Sequence, residues 1–310
     1  MKWFIAPTVL VIVAACSSPA ALPATATPER TETVRLTPEE VPPIRGPKSP
    51  NGYQVILGTP DLGLGANRIG FVVTSPKGFV KQDVVEVTSL YVPGESAGGE
   101  VRQTATADFH LWPYGSRGLY VTELDFDRAG IWRLDVILEI GDGQTETMQV
   151  VFDVLDDPYA PEVGEKAPAS DSKTAADVAR LSQLTTGSLQ DADLYQLSLA
   201  QAVANGLPTV VVFASPAFCI TEVCGPQVEV LQELKNKYGD RANFVHVDFY
   251  DNPEEIQGNL ANAQLSSAVI EWRLPSIEWS FVIDSDGVIA GRFEAFATVE
   301  ELEEALLDVL

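Results

Sequence analysis

The chain is 310 residues long, with 45% hydrophobic and 21% charged side chains, a globular composition with room for two domains of roughly 100–200 residues each. Its 44 acidic and 20 basic side chains give a formal net charge of −24, which sets the surface against phosphate backbones and anionic headgroups and excludes nucleic-acid binding through a basic face. The three cysteines are an odd number, so any single intramolecular pair leaves one over.

The N-terminus accounts for one of them. Lys2 is a short positive region, Trp3 to Val13 is apolar apart from Pro7 and Thr8, and Ala14 and Ala15 lead into Cys16. The run is too short to cross ~30 Å of hydrocarbon as a mature helix and reads as an export signal. Val13-Ala14-Ala15-Cys16 resembles the bacterial lipobox, and that resemblance implies a signal peptide over residues 1–16 with Cys16 as the lipidated residue. Export puts the rest of the chain where disulfides persist. Residues 17–50 are rich in Pro, Thr, Ala and Ser, a composition that buries too little apolar surface to fold and serves as a tether.

Residues 51–157 read as strands. Tyr53–Gly58, Arg68–Thr74, Val84–Val92, Arg102–Leu111, Leu119–Leu124, Ile131–Ile140 and Glu146–Val154 are rich in Val, Ile, Thr and aromatics, separated by turn residues such as Gly141-Asp142-Gly143. Short strands at this spacing predict an antiparallel β-sandwich. The strand beginning Ala129-Gly130-Ile131-Trp132 resembles one found in immunoglobulin-like exported bacterial domains, with Trp132 as a core plug. His110 has no neighbouring ligand in sequence, and Glu123, Asp125 and Asp127 alternate along a strand rather than a calcium-binding turn. No metal or cofactor is expected, and a partner-binding or structural role follows for this half.

Residues 158–190 are polar and read as a linker, after which the period turns helical. Leu194, Leu197, Ala200 and Val203 predict a helix stopped at Asn205-Gly206. Pro208–Ala214 is apolar and short, as a buried central strand is. A second helix passes through Val228, Leu231 and Leu234 to Tyr238-Gly239, Asn243–Phe249 is a strand, and Ala263–Trp272 is a third helix. Ile277–Ile283 and Val288–Phe293 form a hairpin across Asp284-Ser285-Asp286-Gly287, and Thr298 with Glu301 is a capping box for the last helix.

This order, with Val212-Phe213-Ala214 before a cysteine loop, Cys224-Gly225-Pro226 opening a helix and Leu274-Pro275 before the hairpin, resembles the thioredoxin/AhpC-TSA superfamily over residues 191–310. The resemblance implies an α/β thioredoxin-like domain in which Pro275 is cis and packs against Cys219 and Cys224. The chain departs from the family's Cys-x-x-Cys: four residues separate Cys219 from Cys224. Five positions along a helix rise about 7.5 Å, beyond the ~7 Å limit between Cα atoms for a disulfide. A bond therefore requires Cys219 in the loop with the helix starting near Cys224, or unwinding of the segment; otherwise the pair stays unbonded. Pro226, tolerated only in a first turn, favours the first arrangement.

The expected function is a membrane-anchored, extracytoplasmic thiol–disulfide oxidoreductase, with Cys219, Cys224 and Pro275 at its site and exported protein thiols or disulfides and a redox donor as partners. An alternative is a thiol peroxidase resembling the atypical peroxiredoxins of the bacterioferritin-comigratory type, although Pro216 stands three residues before Cys219, where those enzymes carry Thr, and Arg273 is the nearest Arg to the Ile277–Ile283 strand. Two others are a copper chaperone resembling the Sco family, with His246 as the available imidazole, and a non-enzymatic lipoprotein adaptor braced by the disulfide.

Overall fold

The computed structural model describes residues 1, 3, 43–94, 98–113, 117–141, 143–219 and 224–310; Cys16, the rest of its signal and most of the tether lie outside them. Leu36–Leu310 fall in one compact unit. Strands β1 (Ile44–Arg45), β2 (Gln54–Leu57), β3 (Gly65–Ser75), β4 (Gly78–Phe79), β5 (Val84–Tyr91), β6 (Glu100–Leu111), β7 (Gly118–Phe126), β8 (Gly130–Gly141) and β9 (Gln144–Val154) make one nine-stranded sheet. Its order is β1-β2-β3-β7-β6-β5-β8-β9, with β4 on β3.

All seven strands expected in this half are present, yet they do not form a sandwich of two sheets. The single sheet curls until its ends meet. Asn51 donates to Glu146 Oε2 at 2.7 Å, Leu62 bridges Val154 in parallel, and a Cβ at Gly46 would collide with the Gln149 carbonyl. Only a side-chain-free residue lets β1 come that close to β9. Alternating residues fill the interior: Val55, Leu57, Phe71, Tyr120, Leu134 and Val150 are each fully buried. Trp132 is the expected plug, stacked edge-on against Phe126 at 4.8 Å, with its Nε1 donating to the Arg128 carbonyl.

The second sheet has four strands, β10 (Thr209–Phe213), β11 (Asn243–Val247), β12 (Trp279–Ile283) and β13 (Ile289–Glu294), ordered β11-β10-β12-β13. β10 pairs parallel to β11 and antiparallel to β12. Helices α1 (Leu199–Ala204), α2 (Cys224–Tyr238), α3 (Pro253–Ile256), α4 (Ser267–Glu271) and α5 (Val299–Leu307) join and cover it. Val210 and Val212 pack in one apolar cluster with Val228 and Leu231 of α2 and Leu302 and Leu306 of α5. Val211 and Phe213 face the opposite cluster with Ala202, Val269 and Trp272. This is the alternation that a strand buried on both faces imposes.

The expected fold class is corrected here. The described residues are mostly β, in two sheets, and every helix except the 15-residue α2 has nine residues or fewer. A thioredoxin-like α/β domain behind an immunoglobulin-like sandwich is not what the chain forms. Local polar chemistry shortens the helices. Ser198 takes the N-cap of α1 in a capping box with Gln201, which leaves Leu194 and Tyr195 in a separate 3₁₀ turn. The expected Ala263–Trp272 helix contracts to α4 because Gln264 donates to Asn252 Oδ1 and Leu265 bridges Tyr250, holding that stretch extended. Among the described residues no helix is long and apolar enough to cross a membrane.

Charged groups seat the two sheets on each other. Arg68 of β3 reaches Glu301 of α5 at 2.7 Å and the carbonyls of Glu294 and Phe296 at 3.0 and 2.7 Å. Residues 158–190 run along both sheets: Asp61 accepts from the Tyr159 and Ala160 amides, and Ile289 donates to the Glu165 carbonyl.

Candidate functional site

The site begins at the end of β10. Every residue of that strand is buried, and the chain leaves it through Ala214 and Ser215, also buried, before Pro216 to Cys219 come to partial exposure. A turn closes there, with Phe218 donating to the Ser215 carbonyl at 3.0 Å. Asp248, just past β11, anchors this loop. Its carboxylate accepts from the Thr186 amide and hydroxyl at 2.6 and 2.9 Å, and the Thr186 hydroxyl accepts from the Ala217 amide at 3.2 Å. Burial pushes the Asp248 carboxyl up to about 6, against the hydrogen bonds from Thr186, Tyr250 and Ser215.

Cys219 and Cys224 form a disulfide, with Cα atoms 5.9 Å apart, inside the usual range. The bond takes the first of the geometries open to the sequence. α2 starts at Cys224, Cys219 stays in the loop, and Pro226 falls in the first turn, where its missing N–H costs nothing. The two sulfurs differ in surroundings. Cys224 is fully buried in the cluster with Val212, Ala214 and Phe296, whereas Cys219 packs at the edge of that cluster and is partly exposed. Cys224 is the first residue of the 15-residue α2, the end at which a helix dipole favours negative charge.

One residue beside the pair was not legible in the sequence as part of a site. Glu278 directly precedes β12, at the end of the strand away from the hairpin turn, is 2% exposed, and places a carboxylate oxygen so that it and the two sulfurs all lie within 4.8 Å of one another. Its Oε1 has no hydrogen-bond partner, and its backbone is left-handed, at φ 84°, which a side chain of this size rarely adopts. Burial raises its carboxyl to about 8, opposed by the charge of Arg68. The available signal was an acid set directly before a strand, Trp279–Ile283, whose every residue is buried.

The other candidates lie elsewhere or are committed. Pro275 is buried, but no peptide bond among the described residues is cis, so the expected cis proline is corrected to trans. His246 is buried, with Nδ1 at 2.7 Å from the Tyr195 hydroxyl and Nε2 at 3.1 Å from the Ala214 carbonyl. A carbonyl only accepts, so Nε2 carries the proton and Nδ1 accepts from the tyrosine. Burial lowers this imidazole to about 4, and both ring nitrogens are used within the core. Arg273 pairs with Asp157 at 3.6 Å. His110 meets Glu301 at 3.3 Å. Burial of Glu301 works against its charge, but the His110 hydrogen bond and the Arg68 guanidinium hold it down at about 2. Glu123 and Asp125 alternate with buried Leu124 and Phe126 on the outer face of β7, a solvated strand face as expected.

No family model matches the chain, and no curated protein matches it. Among solved structures, the soluble domain of PmoD from Methylocystis sp. ATCC 49242 (Rockwell) is similar over 36% of this chain and 98% of that one, at 17% identity and a TM-score of 0.25. A likeness that slight carries no argument about this chain's fold or chemistry.

Proposed function

We propose that this chain is an extracytoplasmic thiol–disulfide oxidoreductase, held to the membrane by a lipid on Cys16, with Cys219 and Cys224 as its exchanging pair. The observation that supports the reading most is the asymmetry of the disulfide: a partly exposed Cys219 in a strand-to-helix loop and a buried Cys224 heading a long helix. Ligands and reactive groups gather at such strand ends. In the reducing direction the Cys219 thiolate attacks a substrate disulfide and releases one substrate thiol. Cys224 then attacks the Cys219 sulfur, releases the second, and closes the disulfide seen here. Two electrons pass to the substrate, and a dithiol donor restores them. Exported proteins with accessible disulfides are the substrate class. Pro275 would contribute as part of the buried wall before β12.

The test is reduction of insulin disulfides by the reduced full-length chain. Cys219→Ser is expected to abolish it, and Cys224→Ser to stop at a mixed disulfide with substrate that is visible by mass. Equal activity in both variants and wild type would refute the reading. A bracing disulfide is the second reading, supported by the complete burial of Cys224. It predicts no exchange in any form of the protein and a change only in stability.

A further inference from the structure

Glu278 is not explained by the disulfide. Two bonded sulfurs are weak acceptors and offer no donor, so a buried carboxyl beside them gains at most one weak hydrogen bond from the oxidised pair, and its Oε1 is left unpartnered. The backbone is nonetheless held left-handed at this residue. The neighbouring cation does not neutralise it directly, because Arg68 spends its guanidinium on Glu301 and on the carbonyls of Glu294 and Phe296. The picture changes when the disulfide opens. Two thiolates and one carboxylate then converge in a buried space, their donor atoms already within 4.8 Å of one another in the bonded state. Three anionic donors this close require protons or a cation between them.

We propose that, once reduced, the pair and Glu278 form a zinc site, with Cys219 Sγ, Cys224 Sγ and a Glu278 carboxylate oxygen as ligands. The inference rests on the exchange reading only in needing a pair that can be reduced. Zinc takes thiolate sulfur at about 2.3 Å and carboxylate oxygen at about 2.0–2.2 Å, in tetrahedral geometry, with a fourth position left for water where three protein ligands are present. Tetrahedral zinc separates two thiolates by roughly 3.8 Å, so the opened sulfurs need only part from bonding distance while Glu278 closes in. The mixed donor set selects the metal. Copper(I) is satisfied by soft sulfur alone and leaves the carboxylate unexplained, whereas zinc accepts sulfur and oxygen together. A dithiol or phosphine reductant supplies the two electrons that open the disulfide, and the sulfurs take up two protons. Zinc entry then displaces the protons on both sulfurs and any on Glu278. Reoxidation by a disulfide joins the sulfurs and ejects the metal, so the zinc-bound and disulfide states exclude each other.

The experiment uses the full-length chain carrying Cys16→Ser, so that the remaining thiols are the pair. It is reduced with a phosphine, freed of reductant without air, and its thiols are counted. Zinc chloride is then titrated against a chromogenic chelator. One zinc per reduced chain is expected, none on the oxidised chain, with bound zinc slowing thiol modification. Cobalt substitution should give a thiolate-to-cobalt charge-transfer band. Glu278→Gln, isosteric and uncharged, should weaken zinc about tenfold or more while the thiol count and the near-ultraviolet circular dichroism of the tryptophans stay unchanged. If both thiols are free and zinc is not retained, or if Glu278→Gln binds it as tightly as wild type, the proposal is overturned. Zinc bound through Glu278 in a protein that fails to reduce insulin upholds the site and refutes the exchange reading instead.

Discussion

Arg292 of β13 holds the carboxylate of Asp61 at 2.7 Å, and the Asp61 side chain is wholly excluded from solvent. The same guanidinium donates to the Asp61 and Pro161 carbonyls and lies over the Trp279 ring at 4.8 Å. Asp61 in turn accepts from the amides of Tyr159 and Ala160 and donates its own amide to Glu294. One ion pair thus ties the nine-stranded sheet, the segment after β9 and the four-stranded sheet together. Removing one member strands the other as an uncompensated buried charge. Asp61→Ala and Arg292→Ala are each expected to lower stability by about 3–5 kcal/mol in urea unfolding. The double variant should cost less than the sum, because the second truncation removes the orphan left by the first. Additive losses would mean that the pair does not couple the sheets.

Glu278 also makes stability depend on pH. Its carboxyl is raised from 4.5 to about 8 by burial, so the folded chain keeps a proton that the unfolded chain has released. The stabilisation is complete below pH 4.5 and drains away as pH rises to about 8. Glu294, raised to about 8 by burial and the charge of Asp61, adds in the same direction. Glu278→Gln should remove its share. The variant should match wild type near pH 5 and exceed it by roughly 2–4 kcal/mol near pH 8.5, each pKa unit being 1.36 kcal/mol. Parallel stability curves for the two proteins over that range would show that Glu278 does not titrate this way.

His246 works on the acid side. Burial lowers its imidazole from 6.5 to about 4, so the unfolded chain binds a proton that the folded chain refuses. Stability therefore falls as pH drops from about 6.5 through 4. His246→Leu should flatten that part of the curve. Tyr195→Phe removes the hydroxyl that donates to Nδ1 and leaves a buried acceptor unpaired, an expected cost of about 1–3 kcal/mol at pH 7. A Tyr195→Phe protein as stable as wild type would mean that water or another donor fills the gap.

The sequence made strands and turns far more legible than their assembly. Seven strands of the first half follow from β-branched alternation and Gly-rich turns, and Thr298 with Glu301 forms the capping box read from its spacing. The curl that brings β1 onto β9 was not legible. It depends on Gly46 accepting a backbone at contact distance, which no periodicity reports. Helix lengths failed for a related reason: Ser198 and Asn252 make local hydrogen bonds that compete with an apolar period of 3.6. At the site, Pro226 foretold where α2 begins and hence that Cys219 and Cys224 could bond. Glu278 was invisible because its meaning lies in a fold-level meeting of the β12 entry with the head of α2. Residues 158–190 look like a polar linker, yet Ala160, Ser170, Ser172 and Leu184 are buried through hydrogen bonds that composition does not encode.

Reduction of the Cys219–Cys224 bond should be tolerated by the fold, and the size of its effect bears on whether the bond exchanges or braces. The bond closes a short loop, with a sequence separation of 5, and constraint of the unfolded chain grows only with the logarithm of loop length. Such a loop contributes about 2 kcal/mol, a fraction of the ~5–15 kcal/mol typical of a folded domain. The surrounding cluster of Val212, Val228, Leu231 and Phe296 does not depend on the bond for its burial. Urea unfolding of the oxidised chain, the reduced chain and Cys219→Ser should therefore show a loss of about 2 kcal/mol for both altered forms, each retaining a cooperative transition. A reduced chain that unfolds outright at neutral pH would mark the bond as a brace, since a pair cycling between two states must leave the fold standing in both.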